Sequence, residues 1–255
     1  MTETYLTAQG RRLAFDLVPG GAPGIVFLHG FRSDRQGTKV LALESWCRDQ
    51  RRGMLRFDLS GHGGSEGRLE SFGIGDWLED ATEIIDALAP GRQVLVGSSL
   101  GGWLALLLAR ARPDRVAGLV TIAAAPDFTT RMQAEFSDAD HADLSGQGFV
   151  TRPTVYEEGD YVFSRRLFDQ GAQHRVFGVP LDLPMPVRLL QGTADTDVPV
   201  DEALRLLDHA SGPDIRLTLV KDADHRFSAP AQLELIRASI ADILALDGHR
   251  TLPHS

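Results

Sequence analysis

Along this chain the hydrophobic positions switch repeatedly between a period of two, unbroken short runs, and a helical period. "RLAFDL" (11–16) alternates polar and apolar positions and predicts a half-buried strand. "GIVFLHG" (24–30) is a continuous apolar run between glycines, as in a strand covered on both faces. Residues 39–51 put Val40, Leu43, Trp46 and Cys47 on one helical face. "MLRFDLSGHGGS" (54–65) reads as a strand and then a glycine-rich turn. Trp77, Ala81, Ile84, Ile85 and Leu88 recur at helical spacing over 76–89, and Pro90-Gly91 ends that helix. "QVLVGS" (93–98) is a strand, "SLGGWLALLLARAR" a helix stopped by Pro113, and "VAGLVTIAAA" (116–125) another buried strand.

The rhythm breaks over 126–186, where polar turns and scattered aromatics predict no buried strand. One amphipathic helix stands out there, "YVFSRRLFDQG" (161–171), with Gly171 as its stop. Strand and helix then resume with "VRLLQG" (187–192), a helix near 200–210, "IRLTLV" (215–220) and a last helix near 230–246, leaving "DGHRTLPHS" as a frayed tail. Strands separated by helices imply an α/β fold with a mostly parallel central sheet and helices on both faces. Residues 1–125 and 187–255 form its core, and 126–186 is a small, partly helical cap that leaves from a strand's carboxyl end.

Composition narrows the partners. The 255 residues, 43% hydrophobic, suffice for one large α/β domain or two small ones. A formal net charge of −9 argues against a nucleic-acid surface, which needs basic patches. A single cysteine, Cys47, allows no intrachain disulfide and suggests a reducing compartment. The opening residues carry no secretory pattern, and "WLALLLA" (103–109) is too short to span a bilayer. The expectation is a cytoplasmic protein without stable membrane insertion. No metal-ligand spacing, P-loop or strand-linked G-x-G-x-x-G occurs, so no metal and no cofactor are expected.

Ligand sites of parallel sheets lie beyond the carboxyl ends of the strands, so the residues there carry the chemistry. After 93–98 comes Gly97-Ser98-Ser99-Leu100-Gly101, a G-x-S-x-G pattern with Ser99 at its centre. A strained strand-to-helix turn would aim that side chain into the cleft. A serine hydroxyl needs a base, and the chain order of this arrangement is Ser, acid, His. His225, in "KDADHRF", is the candidate base; Asp195, in "GTADTDVPV", is the preferred acid. Asp197 is the alternative acid, read as capping the next helix, and Asp127 is an outside candidate. An oxyanion hole would use the Leu100 N–H and the Phe31 N–H of "HGF". Asp58 and His62 in "FDLSGHGGS" are read as loop-shaping groups.

Together these residues resemble the α/β-hydrolase superfamily over nearly the whole chain. "GTKVLALESWC", "RFDLSGHGGSEG", "LVGSSLGGWLALLLA", "RLLQGTADTDVP" and "DADHR" resemble, more narrowly, bacterial members of its acyl-protein thioesterase and acyl-glucuronide esterase branch. The resemblance implies ester or thioester hydrolysis with Ser99 as nucleophile, Asp195 as acid and His225 as base. The substrate expected is a small-molecule ester, an acyl thioester or an acylated protein. In the cap, Phe136, Phe149, Tyr156, Tyr161, Phe163, Leu167 and Phe168 stand beside Arg152, Arg165 and Arg166. Arg152, Tyr161 and Arg165 are the candidate substrate-binding residues; the plainer reading is that such aromatics pack the cap down. Carbon–carbon bond hydrolysis or lyase chemistry, and a small-molecule receptor with an idle triad, are the alternatives on the same fold. No oligomeric state is expected from the sequence.

Overall fold

A computed structural model describes residues 3–153 and 159–250. In chain order its strands are β1 (Glu3–Leu6), β2 (Arg12–Val18), β3 (Gly21–Leu28), β4 (Arg52–Phe57), β5 (Gln93–Ser98), β6 (Val116–Ile122), β7 (Phe149–Arg152), β8 (Tyr161–Ser164), β9 (Leu181–Asp182), β10 (Val187–Gly192), β11 (Ala210–Ser211) and β12 (Ile215–Val220). The helices are α1 (Thr38–Asp49), α2 (Ile74–Leu88), α3 (Leu100–Ala111), α4 (Phe128–Ala134), α5 (Asp138–Gly146), α6 (Arg165–Gln173), α7 (Val200–His209) and α8 (Pro230–Arg250).

Eight of these strands form one sheet in the order β1-β2-β4-β3-β5-β6-β10-β12. β2 is antiparallel to both β1 and β4, and the remaining neighbours run parallel. The unbroken apolar runs are explained by burial on both faces. Along β5, Leu95 joins a core cluster with Trp77, Ile84 and Leu104 of α2 and α3. Its neighbours Val94 and Val96 join the opposite cluster with Val40, Leu43, Ile236 and Ile240 of α1 and α8. The chain moves from β3 outward to β4, then crosses back to β5 and continues to β6, β10 and β12. The order therefore reverses at β3 and β5, whose outgoing loops flank a crevice.

Between β6 and β10 the chain leaves the sheet and builds α4, α5, the antiparallel β7–β8 pair and α6. Helix α6 is bolted to the body. Arg166 makes two bonds to Asp76 at 2.7 and 2.6 Å, and Gln170 Oε1 accepts the Gly75 and Asp76 N–H groups at 2.9 and 3.2 Å. The α3 indole of Trp103 donates to the His174 carbonyl at 3.0 Å.

Three expectations for this region and the tail change. The stretch 161–171 is not one helix: 161–164 pair with 149–152, and the helix begins at Arg165. Ser164 caps it, its hydroxyl accepting the Leu167 N–H at 3.3 Å. The pairing partner lies in a segment with no strand signal of its own, so helical spacing alone misjudged these residues. Gly171 does not stop α6, which runs to Gln173; it gives room to Thr129 Oγ1, which a Cβ would strike. The last helix continues to Arg250 instead of fraying at Asp247, whose carboxylate accepts from Arg92 at 2.6 Å. Tyr156 and residues 251–255 lie outside the described residues.

Candidate active site

Ser99 sits between the end of β5 and the first turn of α3 with φ 53° and ψ −117°. A side-chain-bearing residue in such a region costs about 1–3 kcal/mol, so its surroundings must enforce it. They do: the Ser99 N–H donates to the Ile122 carbonyl at 2.9 Å, and its carbonyl accepts from Gly102, Trp103 and Ala125 at 2.9, 3.3 and 3.2 Å. The flanking glycines are required by close approach. A Cβ at Gly97 would strike the Gly101 carbonyl, and one at Gly101 the Leu28 and His29 carbonyls. Gly101→Ala should therefore destabilise the fold by about 3 kcal/mol or more, seen as a fall in Tm or loss of soluble protein. A Tm unchanged from wild type would contradict this account of the turn. Ser98, the last residue of β5, is buried.

The two aspartates after β10 separate cleanly. Asp195 Oδ2 lies 2.9 Å from His225 Nδ1 and accepts Gln191 Nε2 at 3.0 Å. Its Oδ1 accepts the Asp197 and Val198 N–H groups at 2.9 and 2.8 Å. Burial pushes this carboxyl's pKa up, but the His225 bond and charge and the Val198 and Gln191 donors outweigh it and hold the pKa below the ordinary value. An ionised Asp195 can only accept, so Nδ1 carries a hydrogen, and whenever the ring is neutral the lone pair is on Nε2. Asp197 does not cap α7, whose N-cap is Pro199; its Oδ2 lies 3.9 Å from His225 Nε2. Asp127 is turned elsewhere, accepting the Val176 and Phe177 N–H groups at 2.7 and 2.9 Å.

Ser99 and His225 open onto one cavity of about 570 Å³, together with Phe31 and Leu100. Leu100 is the first residue of α3, so its N–H has no acceptor within the helix. On the other side, His29 Nε2 accepts the Leu59 N–H at 3.1 Å. The ring proton is therefore on Nδ1, which donates to the Gly30 carbonyl at 2.8 Å and shapes the turn leading to Phe31. Gly30 borders the nucleophile candidate: a Cβ there would lie 3.4 Å from Ser99 Cβ.

Asp58 and His62 are not among the described residues that line this cavity. Asp58 is fully buried, accepts the Arg35 and Gly64 N–H groups at 2.6 and 2.7 Å, and pairs with the Arg35 guanidinium. Burial, with His29 nearby, pushes the His62 pKa down to about 3, so the ring is neutral where it packs edge-on against Trp77. Both shape the loop.

The candidate substrate contacts divide. Tyr161 and Arg152 line the cavity. The Arg152 guanidinium is held by Asp140 at 2.6 Å and lies over the Phe136 ring. Arg165 is not among the described residues that line the cavity, and it donates to the Leu144 and Ser145 carbonyls at the end of α5. Its backbone N–H donates to the Gly148 carbonyl at 2.8 Å, which sets the side chain beside the end of α5. Sequence reasoning missed Arg32, Lys39, Arg131 and Arg226, which line the cavity too. Arg32 and Arg226 directly follow Phe31 and His225 and could have been suspected; Lys39 and Arg131 carry no local signal. Among the described residues no cluster could hold a metal ion, and no helix is long and apolar enough to cross a membrane.

The model of the Alpha/beta hydrolase family matches residues 25–235. The palmitoyl-protein thioesterase ABHD10, mitochondrial, of Bos taurus is 36% identical over 233 residues, 91% of this chain and 76% of that protein. The solved alpha/beta hydrolase domain-containing protein 10 from mouse superposes with a TM-score of 0.89 at 34% identity, covering 96% of this chain and 98% of its own. A crystal structure from Agrobacterium vitis S4 gives a TM-score of 0.90 at 35% identity, covering 95% and 99%.

Proposed function

This chain belongs to the Alpha/beta hydrolase family, and from that premise we propose that it hydrolyses its substrate through an acyl-enzyme on Ser99. Its enzyme class is that of the ester and thioester hydrolases. The observation that carries the mechanism is the 2.9 Å contact of His225 Nδ1 with buried Asp195, in a ring that shares its cavity with Ser99. His225 Nε2 takes the Ser99 proton as Oγ attacks the acyl carbonyl. The Phe31 and Leu100 N–H groups stabilise the oxyanion, a contribution of about 3–4 kcal/mol for each donor. His225 then protonates the leaving alcohol or thiol, and water releases the acyl group by the reverse roles. Residues 126–186 act as a cap on the core, with Arg152 and Tyr161 touching substrate.

The substrate is an acyl thioester, small or attached to a protein, a reading supported by relatives named palmitoyl-protein thioesterases. A second substrate, an ester with an anionic leaving group such as a glucuronide, is favoured by the lining. Lys39, Arg131, Arg152 and Arg226 line the cavity, against the carboxylates of Asp34 and Asp197, in a chain of net charge −9. Burial pulls the Lys39 pKa down to about 8, with Asp224 partly offsetting it. Lys39 is thus cationic below about pH 8 and neutral above it. For a carboxylate-bearing ester, KM should rise as pH passes through that value, while a neutral ester shows no such step. Lys39→Met should remove the step; parallel profiles for both esters in wild type would count against the anion reading.

The single cysteine, Cys47, supports a reducing compartment, which the cytoplasm and the mitochondrion of the named relatives both provide. The deciding assay is a series of p-nitrophenyl esters and acyl thioesters of increasing chain length. Turnover is expected. Tight binding of such molecules without turnover would favour the receptor reading.

A further inference from the structure

The donor loop after β3 does not hold its shape alone. Arg32, directly after Phe31, has φ 52°, in the left-handed region that residues with a side chain seldom occupy. Its side chain reaches away from the sheet, and Nη1 donates to the carbonyls of Gly159 and Asp160 at 2.9 and 2.8 Å. Its guanidinium carbon lies 5.0 Å from the Tyr161 ring centroid. Phe31 follows the same surface: its ring stacks on Phe163 at 5.2 Å with planes 15° apart, and meets Tyr161 edge-on at 6.0 Å. Both side chains of the loop therefore touch β8 or the two residues before it, and Phe31 also meets His62 and Trp77 of the body edge-on, each at 6.1 Å.

Strand β8 is itself fixed. It pairs with β7 on one side and leads directly into α6, which Arg166 and Gln170 fasten to the start of α2. The near end of the loop is held by His29, whose Nδ1 donates to the Gly30 carbonyl at 2.8 Å, and the Ser33 N–H closes the turn on that same carbonyl at 3.2 Å. The Phe31 amide lies between these two anchors.

We propose that Arg32 is a positioning residue for oxyanion stabilisation, with β8 of the inserted segment as the template that sets the Phe31 N–H. This rests on the assignment of Phe31 as an oxyanion donor. The inserted segment then takes part in the chemical step as well as enclosing the substrate. Both bonds leave one nitrogen, Nη1, which a lysine ammonium can partly imitate; the planar guanidinium lying over the Tyr161 ring at the same time is what lysine lacks.

The test compares wild type, Arg32→Ala and Arg32→Lys on p-nitrophenyl acetate and on a p-nitrophenyl ester carrying a carboxylate. A loosened donor acts on the transition state more than on bound substrate. Arg32→Ala should lower kcat by about 10- to 100-fold on both esters, with KM changed less than about twofold. Arg32→Lys should recover part of the loss. The rate of Ser99 phosphonylation by a fluorophosphonate should fall in proportion to kcat. A loss confined to KM, or to the anionic ester, would make Arg32 a substrate contact and overturn the proposal. An unchanged kcat in folded Arg32→Ala overturns it as well. Should Arg32→Ala fail to fold, Arg32→Lys, assayed below its Tm, decides on the same kcat and KM criteria. A wild type that turns over neither ester overturns the hydrolase reading and this proposal with it; an active wild type with an unaffected variant overturns this proposal alone.

Discussion

Ser99→Ala is expected to remove ester and thioester hydrolysis almost entirely, with kcat falling by roughly 10⁵- to 10⁶-fold. No neighbouring group can take over. Ser98 is the last residue of β5 and buried, whereas Ser99 occupies the turn where φ is 53° and the backbone is pinned to Ile122. Moving the hydroxyl by one residue would place it in regular strand geometry. Ser98→Ala should therefore keep activity within a few-fold of wild type. The measurement is steady-state hydrolysis of a p-nitrophenyl ester, with mass spectrometry of the fluorophosphonate-labelled peptide to locate the adduct. Activity of Ser99→Ala equal to wild type, or an adduct on Ser98, would sink the assignment. Circular dichroism of Ser99→Ala should match wild type, because no side-chain hydrogen bond of Ser99 caps α3.

Asp195→Asn should lower kcat by about 10⁴-fold while leaving a folded protein. The reason lies in the four donors around the carboxylate. Oδ1 accepts two backbone N–H groups, from Asp197 and Val198, and Oδ2 accepts from Gln191 and His225. An asparagine keeps its carbonyl toward the two backbone donors, which cannot turn away. Its NH₂ then faces Gln191 and His225 Nδ1. The imidazole must accept there, which moves its proton to Nε2 and leaves no base toward Ser99. Asp197→Asn is the control. Its carboxylate lies 3.9 Å from Nε2 and holds neither Nδ1 nor a helix terminus, so a loss below about tenfold is expected. Equal losses for the two variants would remove the distinction between the aspartates.

The folded state of the Asp195 site has its own pH signature. A carboxyl whose folded pKa is depressed adds stability that is present above the unfolded value, about 3.9, and lost as pH falls through the lower folded value. Asp195→Asn should therefore flatten part of the acid limb of a Tm-versus-pH curve.

Much of this protein could be read from the order of its residues. Periods of two and 3.6, with runs such as "VAGLVTIAAA", determine where strands and helices form, because a parallel strand buries both faces and a surface helix only one. Alternation of those elements determines the α/β class and puts Gly97–Gly101, Asp195 and His225 after strands. Local backbone chemistry also marks the turn at Ser99, since only glycine fits where Gly97 and Gly101 meet carbonyls.

What tertiary structure alone decided are the matters settled by partners distant in the chain. Asp195 and Asp197 are two residues apart and equal in chemistry; only the approach of the loop after β12 to the loop after β10 puts His225 Nδ1 on the first. Tyr161 to Ser164 became strand because Phe149 to Arg152 came alongside, and Arg165 then faced the end of α5 instead of the cavity. Lys39 and Arg131 begin or ride helices far from Ser99 in sequence, yet line its cavity. Arg32 meets Gly159 and Asp160 across more than a hundred residues. Periodicity reports which side of an element is buried. It carries no record of which polar group waits on the other side, and in this cavity that determines the direction of the chemistry.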